Sequence, residues 1–242
     1  MALLDIHFRS EVLQKQAAMY VILPENKEIA NFRVVYLLHG LSDDYTIWLR
    51  RTNVERYATD YNFVLVLPDT GRFFYTNSLD GIYRYEDHML EVVNFVDRIF
   101  PTVKSNYGRC LTGNSMGGYG SLKLAIKHPH LFGSVSAHSS LTDITTWIEG
   151  PPGQEFSRIF GKPVHPENDL FLLAEKAKDW PAVRLDCGTE DILLDHNRRF
   201  HAHLEKLNRP HIYEEFPGGH DWTYWDQHVQ DSLRFHASLK ET

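Results

Sequence analysis

Arg109-Cys110-Leu111-Thr112-Gly113-Asn114-Ser115-Met116-Gly117-Gly118-Tyr119-Gly120 runs from a short apolar stretch, through a serine flanked by glycines, into a helix-like segment that stops at Pro129. Gly-x-Ser-x-Gly is a common pattern by itself. Its surroundings make it specific: the sequence predicts a strand over Arg109–Thr112 and a helix over Ser115–His128. A serine on so sharp a strand-to-helix turn leaves little room for neighbouring side chains, which accounts for Gly113 and Gly117. The turn exposes the hydroxyl at the C-terminal edge of a sheet. It also sets Ser115 at a helix N-terminus, where the helix dipole favours developing negative charge. Gly118 and Gly120 let that helix pack closely on the sheet.

Outward from this turn, the chain alternates strands and helices. Val34-Val35-Tyr36-Leu37-Leu38, within Arg33–Leu38, is continuously apolar, as a strand buried on both faces should be, and Phe63–Leu67 repeats the pattern. Gly133–Ala137, Val183–Cys187 and Ile212–Phe216 read as further strands. Helices are predicted over Thr52–Asp60, Glu86–Phe100, Asp195–Leu207 and Trp225–Leu239. Leu3–Arg9 and Ala17–Leu23 alternate polar and apolar residues and predict an antiparallel pair with one wet face. The expected fold class is therefore α/β, with a mostly parallel central sheet, helices on both faces and an antiparallel N-terminal pair. Residues 1–242 are expected to form one domain. The long connection 139–181, with Trp147, Pro151-Pro152-Gly153 and a helical piece near Leu170–Lys178, reads as a cap-like insertion above the sheet.

Composition excludes some partners. The chain has 242 residues, 43% hydrophobic and 24% charged, and its net charge is 25 − 32 = −7. Acidic balance disfavours nucleic acid, since phosphate binding takes clustered Lys and Arg, and Arg50-Arg51 and Arg198-Arg199 are only pairs. No stretch is apolar enough to cross a membrane. The N-terminus lacks the basic segment, apolar run and cleavage site of a signal peptide, so a cytoplasmic location is expected. Cys110 and Cys187 fall in predicted strands with another strand between them, roughly 10 Å apart and too far for a disulfide. A homo-oligomer is compatible with the sequence.

A serine hydroxyl is a weak nucleophile and needs a base. Two later loops follow strands and so reach the edge where Ser115 emerges. Gly188-Thr189-Glu190-Asp191 offers an acid, and Pro217-Gly218-Gly219-His220-Asp221-Trp222 offers a base. His220 alone among the histidines follows the last strand in a glycine-rich loop. His39 comes too early and His138 follows the wrong strand. His196, His201, His203 and His228 fall on predicted helices and read as solvated. Asp191 is the expected acid, with Glu190 and Asp195 as competitors. The backbone N–H groups of Met116, next after the serine, and of Leu41, in His39-Gly40-Leu41-Ser42, are the expected donors to an oxyanion. A metal is not expected: His-Glu-x-x-His is absent, and in His201-Ala202-His203 residues two apart on a helix do not share a face.

Tyr36-Leu37-Leu38-His39-Gly40-Leu41, Gly113-Asn114-Ser115-Met116-Gly117-Gly118-Tyr119-Gly120, Gly188-Thr189-Glu190-Asp191 and Gly218-Gly219-His220-Asp221-Trp222 together resemble the esterase D-type group of α/β-hydrolases. That group includes tributyrin esterases, S-formylglutathione hydrolases, feruloyl and acetylxylan esterases, and mycolyltransferases. Trp48-Leu49-Arg50-Arg51-Thr52-Asn53-Val54-Glu55-Arg56 looks closest to the bacterial tributyrin esterases. The resemblance implies an α/β-hydrolase without metal or other cofactor. Its substrate would be a small ester, and short-chain acyl groups would pass through an acyl-enzyme on Ser115, with Asp191 and His220 assisting. Where S-formylglutathione hydrolases carry a Cys after the oxyanion Gly-Leu, this chain has Ser42-Asp43-Asp44, which lowers the thioesterase alternative. Trp48, Trp147 and Trp222, with Phe73-Phe74-Tyr75, are candidates to line a pocket for aromatic or carbohydrate esters, as in feruloyl and acetylxylan esterases. A catalytically silent binding protein is the non-enzyme alternative.

Overall fold

The strands β1 (Ala2–Ser10), β2 (Lys15–Leu23), β3 (Val34–Leu38), β4 (Val64–Pro68), β5 (Arg109–Asn114), β6 (Ser134–His138), β7 (Ala182–Gly188) and β8 (Ile212–Phe216) form one sheet in the order β1-β2-β4-β3-β5-β6-β7-β8. The structure is a computed structural model that describes residues 1–26, 28, 30–148 and 153–241; Pro151 and Pro152 lie outside the described residues. β1 pairs antiparallel with β2, and β2 antiparallel with β4. All later pairings are parallel. Burial follows the sequence patterns. β1 alternates exposed and half-buried residues, whereas β3 and β4 are buried throughout.

The helices are α1 (Ile47–Arg51), α2 (Val54–Ala58), α3 (Tyr85–Ile99), α4 (Met116–Lys127), α5 (Thr145–Ile148), α6 (Gly153–Phe160), α7 (Leu170–Lys176), α8 (Leu194–Lys206) and α9 (Trp222–Ser238). Because strand side chains alternate, successive residues of β3 feed two separate cores. Val34, Tyr36 and Leu38 join residues of α3, α4, α7 and α8. Val35 and Leu37 join Trp48, Val54 and Ala58 of α1 and α2, and Trp225, Val229 and Leu233 of α9. The expected α/β-hydrolase layering, with helices on both faces, is present.

Some boundaries differ from the sequence reading. α1 was not expected: it is short, and its N-cap Thr46 makes no side-chain cap. The helix expected over Thr52–Asp60 ends as α-helix at Ala58 and tightens into a 3₁₀ turn over Thr59–Tyr61. α9 starts at Trp222 rather than Trp225, because the Asp221 carboxylate accepts from the N–H groups of Thr223 and Tyr224 at 2.9 and 3.1 Å. That cap satisfies donors a helix start otherwise leaves open.

α9 meets β5, β6 and β7 across a buried polar layer. His236 bonds Thr112 at 2.9 Å and Ser134 at 2.8 Å. Ser232 bonds Ser136 and His138, both at 2.7 Å. The Tyr224 hydroxyl donates to Asp186 at 2.9 Å. Asp186 also pairs with His138 at 2.8 Å and with Arg184. Burial raises the Asp186 carboxyl, but the charges and hydrogen bonds of His138 and Arg184 outweigh it and hold the group down at about 2. His228 sits in the same interface, stacked on Phe216 at 4.3 Å, and is buried rather than solvated as its helical position suggested.

This layer predicts acid sensitivity. Burial, with the charges of Arg33, Arg184 and His138, pushes His236 from 6.5 down to about 3. Between those values the unfolded chain binds a proton that the folded chain does not, so stability rises with pH there and falls on acidification. Below about 6.5, His236 should cost stability on the order of 1 kcal/mol per pH unit. Denaturant melts at pH 7.5 and 5.0 should show wild-type stability falling. A His236→Gln variant, whatever its absolute stability, should lose less over the same interval; equal losses in both proteins would contradict the assignment.

Candidate active site

Ser115 lies between β5 and α4 with φ +53° and ψ −114°. This region is disfavoured for a residue with a β-carbon, and it is held here by the backbone around it. The Ser115 N–H donates to the His138 carbonyl at 3.0 Å, and its own carbonyl accepts from Tyr119 at 3.1 Å and Leu141 at 3.3 Å. The flanking glycines are required by space. A β-carbon on Gly113 would lie 2.3 Å from the Gly117 carbonyl oxygen, and one on Gly117 would lie 2.1 Å from that of Leu38. The tight turn read from the pattern is thus enforced from both sides.

β7 and β8 carry their following loops to the same edge. The His220 ring bridges them: Nε2 lies 3.0 Å from Ser115 Oγ, and Nδ1 lies 3.0 Å from each carboxylate oxygen of Asp191. A carboxylate can only accept, so Nδ1 carries the proton and Nε2 accepts from the serine hydroxyl. The Asp191 side chain is fully buried while the His220 side chain is 21% exposed, leaving the imidazole accessible from outside. Burial raises the Asp191 carboxyl, yet the hydrogen bond and charge of His220 and the Leu193 N–H, 2.7 Å away, hold it below the ordinary 3.8. The competing acids are elsewhere. Glu190 is exposed, and Asp195 pairs with Arg199 at 3.0 Å.

Gly40 brings the loop after β3 against the serine. A β-carbon there would sit 4.0 Å from Ser115 Cβ. His39 anchors this loop from inside, with Nδ1 donating to the Gly40 carbonyl at 2.8 Å and Nε2 accepting from the Thr70 N–H at 3.2 Å. The Tyr75 hydroxyl donates to the His39 carbonyl at 3.0 Å. Leu41 therefore follows a fixed turn. Met116 is the first residue of α4, where an N–H has no acceptor within the helix.

The three tryptophans expected at a substrate are placed differently from one another. Trp48 is buried, 1% exposed, and donates its indole N–H to the Leu38 carbonyl at 3.2 Å. It packs edge-on against Trp222 at 5.1 Å. Trp222 is half-buried and meets Trp225 at 5.0 Å. Trp147 is half-buried against Phe156 at 5.9 Å. Trp48 thus has almost no surface to offer a ligand, and it supports Trp222 from behind.

Two neighbours of the site were not singled out from the sequence. Trp225 stands edge-on to the His220 ring at 5.0 Å and donates its indole N–H to Ser139 Oγ at 3.2 Å. Ser139, in turn, hydrogen-bonds Asp191 and helps hold its carboxyl down. The available signal was position: Ser139 follows β6 onto the same edge, and Trp225 lies one helical turn past the Asp221 cap.

A sheet of this order, with a strained serine after β5 and with acid and histidine loops after β7 and β8, is that of an α/β-hydrolase. A family model described as "Putative esterase" matches residues 10–236. An acetyl esterase from Caldicellulosiruptor saccharolyticus is 27% identical over 267 residues, covering 100% of both chains. The substrate-bound fluorophosphonate-binding serine hydrolase F of Staphylococcus aureus superposes with a TM-score of 0.92 at 29% identity, across 98% of this chain and 99% of that one. An S-formylglutathione hydrolase of the same organism gives 0.90 at 29% identity, again over 98% and 99%. The chain belongs to this esterase family, and it is a carboxylic ester hydrolase.

Proposed function

We propose that the protein hydrolyses short-chain acyl esters through an acyl-enzyme on Ser115, with His220 as base and Asp191 as its orienting acid. The observation that carries this reading is the unbroken chain of 3.0 Å contacts from Ser115 Oγ through His220 to Asp191. Ser115 Oγ attacks the ester carbonyl while its proton passes to His220 Nε2. Asp191 stabilises the imidazolium through Nδ1–H. The carbonyl oxygen, now an oxyanion, takes hydrogen bonds from the N–H groups of Leu41 and Met116. Collapse breaks the bond to the alcohol, which leaves with the proton from His220. Water then attacks the acyl carbon, gives its proton to His220, and frees the acid as Ser115 recovers its hydrogen.

Residues 1–242 are read as one α/β-hydrolase domain in which 139–181 acts as a cap-like wall above Ser115. Support comes from the Leu141 N–H on the Ser115 carbonyl and from Arg72, which grips Glu155 at 2.8 and 2.9 Å and ties this segment to the loop after β4. Trp147 and Trp222 are the proposed aromatic contacts of substrate. Among the described residues no helix is long and apolar enough to cross a membrane. The buried free thiols Cys110 and Cys187 fit a reducing, cytoplasmic setting.

The acetyl esterase relative favours small acyl groups, as does the likeness to tributyrin esterases. The S-formylglutathione hydrolase neighbour favours a second reading, a thioesterase, against which stands the stretch Ser42-Asp43-Asp44, without the thiol such hydrolases carry after the oxyanion Gly-Leu. A panel of acetyl, butyryl and feruloyl esters and S-formylglutathione, compared by kcat/KM, tests both. The proposal expects acetyl or butyryl ester to lead by about tenfold or more, the scale that pocket fit can supply. A lead by feruloyl ester or by the thioester would replace it.

A further inference from the structure

We propose that His201, Glu205 and His211 form a binding site for a divalent transition-metal ion of the Zn²⁺ type, at the opposite end of β8 from His220. His201 and Glu205 are four residues apart on α8 and share a face. His211 comes from the turn that leads into β8. One ligand atom from each of the three lies within 4.8 Å of the others. The histidine pair dismissed within the helix, His201 and His203, gives way to a pair across two elements: His203 Nε2 instead donates to the Phe171 carbonyl at 3.1 Å.

The rings are already oriented for coordination. His211 Nδ1 donates to the Arg209 carbonyl at 2.7 Å, which leaves its Nε2 lone pair aimed at His201 Nδ1, also 2.7 Å away. A backbone carbonyl on the far nitrogen is the usual outer partner of a metal-bound imidazole. The His201 ring is held flat against Tyr213 at 4.4 Å. Among the described residues Glu205 makes no side-chain hydrogen bond or ion pair, so its carboxylate is available. Two imidazoles and one carboxylate suit Zn²⁺, Cu²⁺ or Ni²⁺ rather than Mg²⁺ or Ca²⁺, with water completing the shell.

Binding requires small changes. In the metal-free state the proton between the rings belongs to His201 Nδ1, because His211 Nε2 can only accept. On binding, that proton moves to His201 Nε2 and Nδ1 becomes a ligand, with no net proton released. The two nitrogens separate from 2.7 Å to about 3.3 Å, the spacing set by metal–nitrogen bonds of about 2.0–2.1 Å in tetrahedral geometry. The ion would clip the C-terminal half of α8 to the start of β8. It would act by mass action on stability, and no reaction step at Ser115 involves it.

The test uses tag-free full-length protein titrated with ZnCl₂ by calorimetry, with thermal melts in ZnCl₂ and in EDTA. The expected result is one ion per chain and a higher melting temperature in ZnCl₂. His211→Ala should weaken binding by about 100-fold or more, and the exposed-site variant Glu205→Gln by about 10-fold. Both variants should keep p-nitrophenyl acetate turnover close to wild type, which shows them folded. Cu²⁺ loaded at one equivalent should show nitrogen hyperfine splitting from two imidazoles. Absence of one-to-one binding, or binding that persists unchanged in both variants, would overturn the proposal.

Discussion

Ser115→Ala should lower p-nitrophenyl acetate turnover by about 10⁴-fold or more while leaving the thermal unfolding midpoint within a few degrees of wild type. The change removes one oxygen whose only described side-chain partner is His220 Nε2, at 3.0 Å. The turn does not depend on that oxygen. It is held by backbone bonds from Ser115 to His138, Tyr119 and Leu141, and alanine meets the positive φ at the same steric cost as serine. The proposed donors at Leu41 and Met116 are unchanged, so the residual rate would report what oxyanion stabilisation and binding do without a nucleophile. Turnover near wild type in a folded Ser115→Ala protein would show that the ester is cleaved elsewhere.

Asp191→Asn should cost nearly as much, about 10⁴-fold in kcat. The geometry says why an isosteric change is so damaging. The Leu193 N–H donates to Asp191 Oδ1 at 2.7 Å, so an asparagine would keep its carbonyl oxygen there and turn its NH₂ toward His220. That amide, at the Oδ2 position 3.0 Å from Nδ1, favours the tautomer in which Nδ1 accepts and the ring proton sits on Nε2, facing Ser115. In that tautomer His220 cannot take the serine proton. Glu190→Gln and Asp195→Asn should keep activity close to wild type, because Glu190 is exposed and Asp195 pairs with Arg199. A severe loss in Glu190→Gln with a mild one in Asp191→Asn would reverse the assignment of the acid.

Much of this was legible in the chain because the site is built where local chemistry is strict. The apolar runs Val34–Leu38 and Phe63–Leu67 read as strands covered on both faces, and the structure buries them so. Gly113 and Gly117 are glycines because a β-carbon at either meets a carbonyl oxygen. Strand order then carried the loops with Asp191 and His220 to Ser115. What stayed hidden depends on contacts between distant segments. Ser134, Ser136 and His138 look like an ordinary strand end in sequence, and His228, Ser232 and His236 like the wet face of a helix. Only their meeting across β6 and α9 turns them into a buried polar layer. Trp48 looked like a ligand-binding aromatic, since sequence does not distinguish a tryptophan that lines a pocket from one that supports its neighbour. His201 and His211 are ten residues apart and come together only through the turn between α8 and β8. The start of α9 was misplaced because Trp222-Thr223-Tyr224-Trp225 has no clear 3.6-residue apolar spacing, although Asp221 is a good N-cap residue.

A covalent bond to Ser115 can be trapped with a fluorophosphonate, since such reagents phosphonylate an activated serine and mimic its tetrahedral intermediate. The protein should be incubated with the probe and digested, and the modified peptide sequenced by mass spectrometry. One adduct per chain is expected, on Ser115 of Gly113-Asn114-Ser115-Met116-Gly117, formed slowly or not at all in Asp191→Asn and absent from Ser115→Ala. An active enzyme that takes no adduct, or takes it on another residue, would rule out Ser115 as the nucleophile.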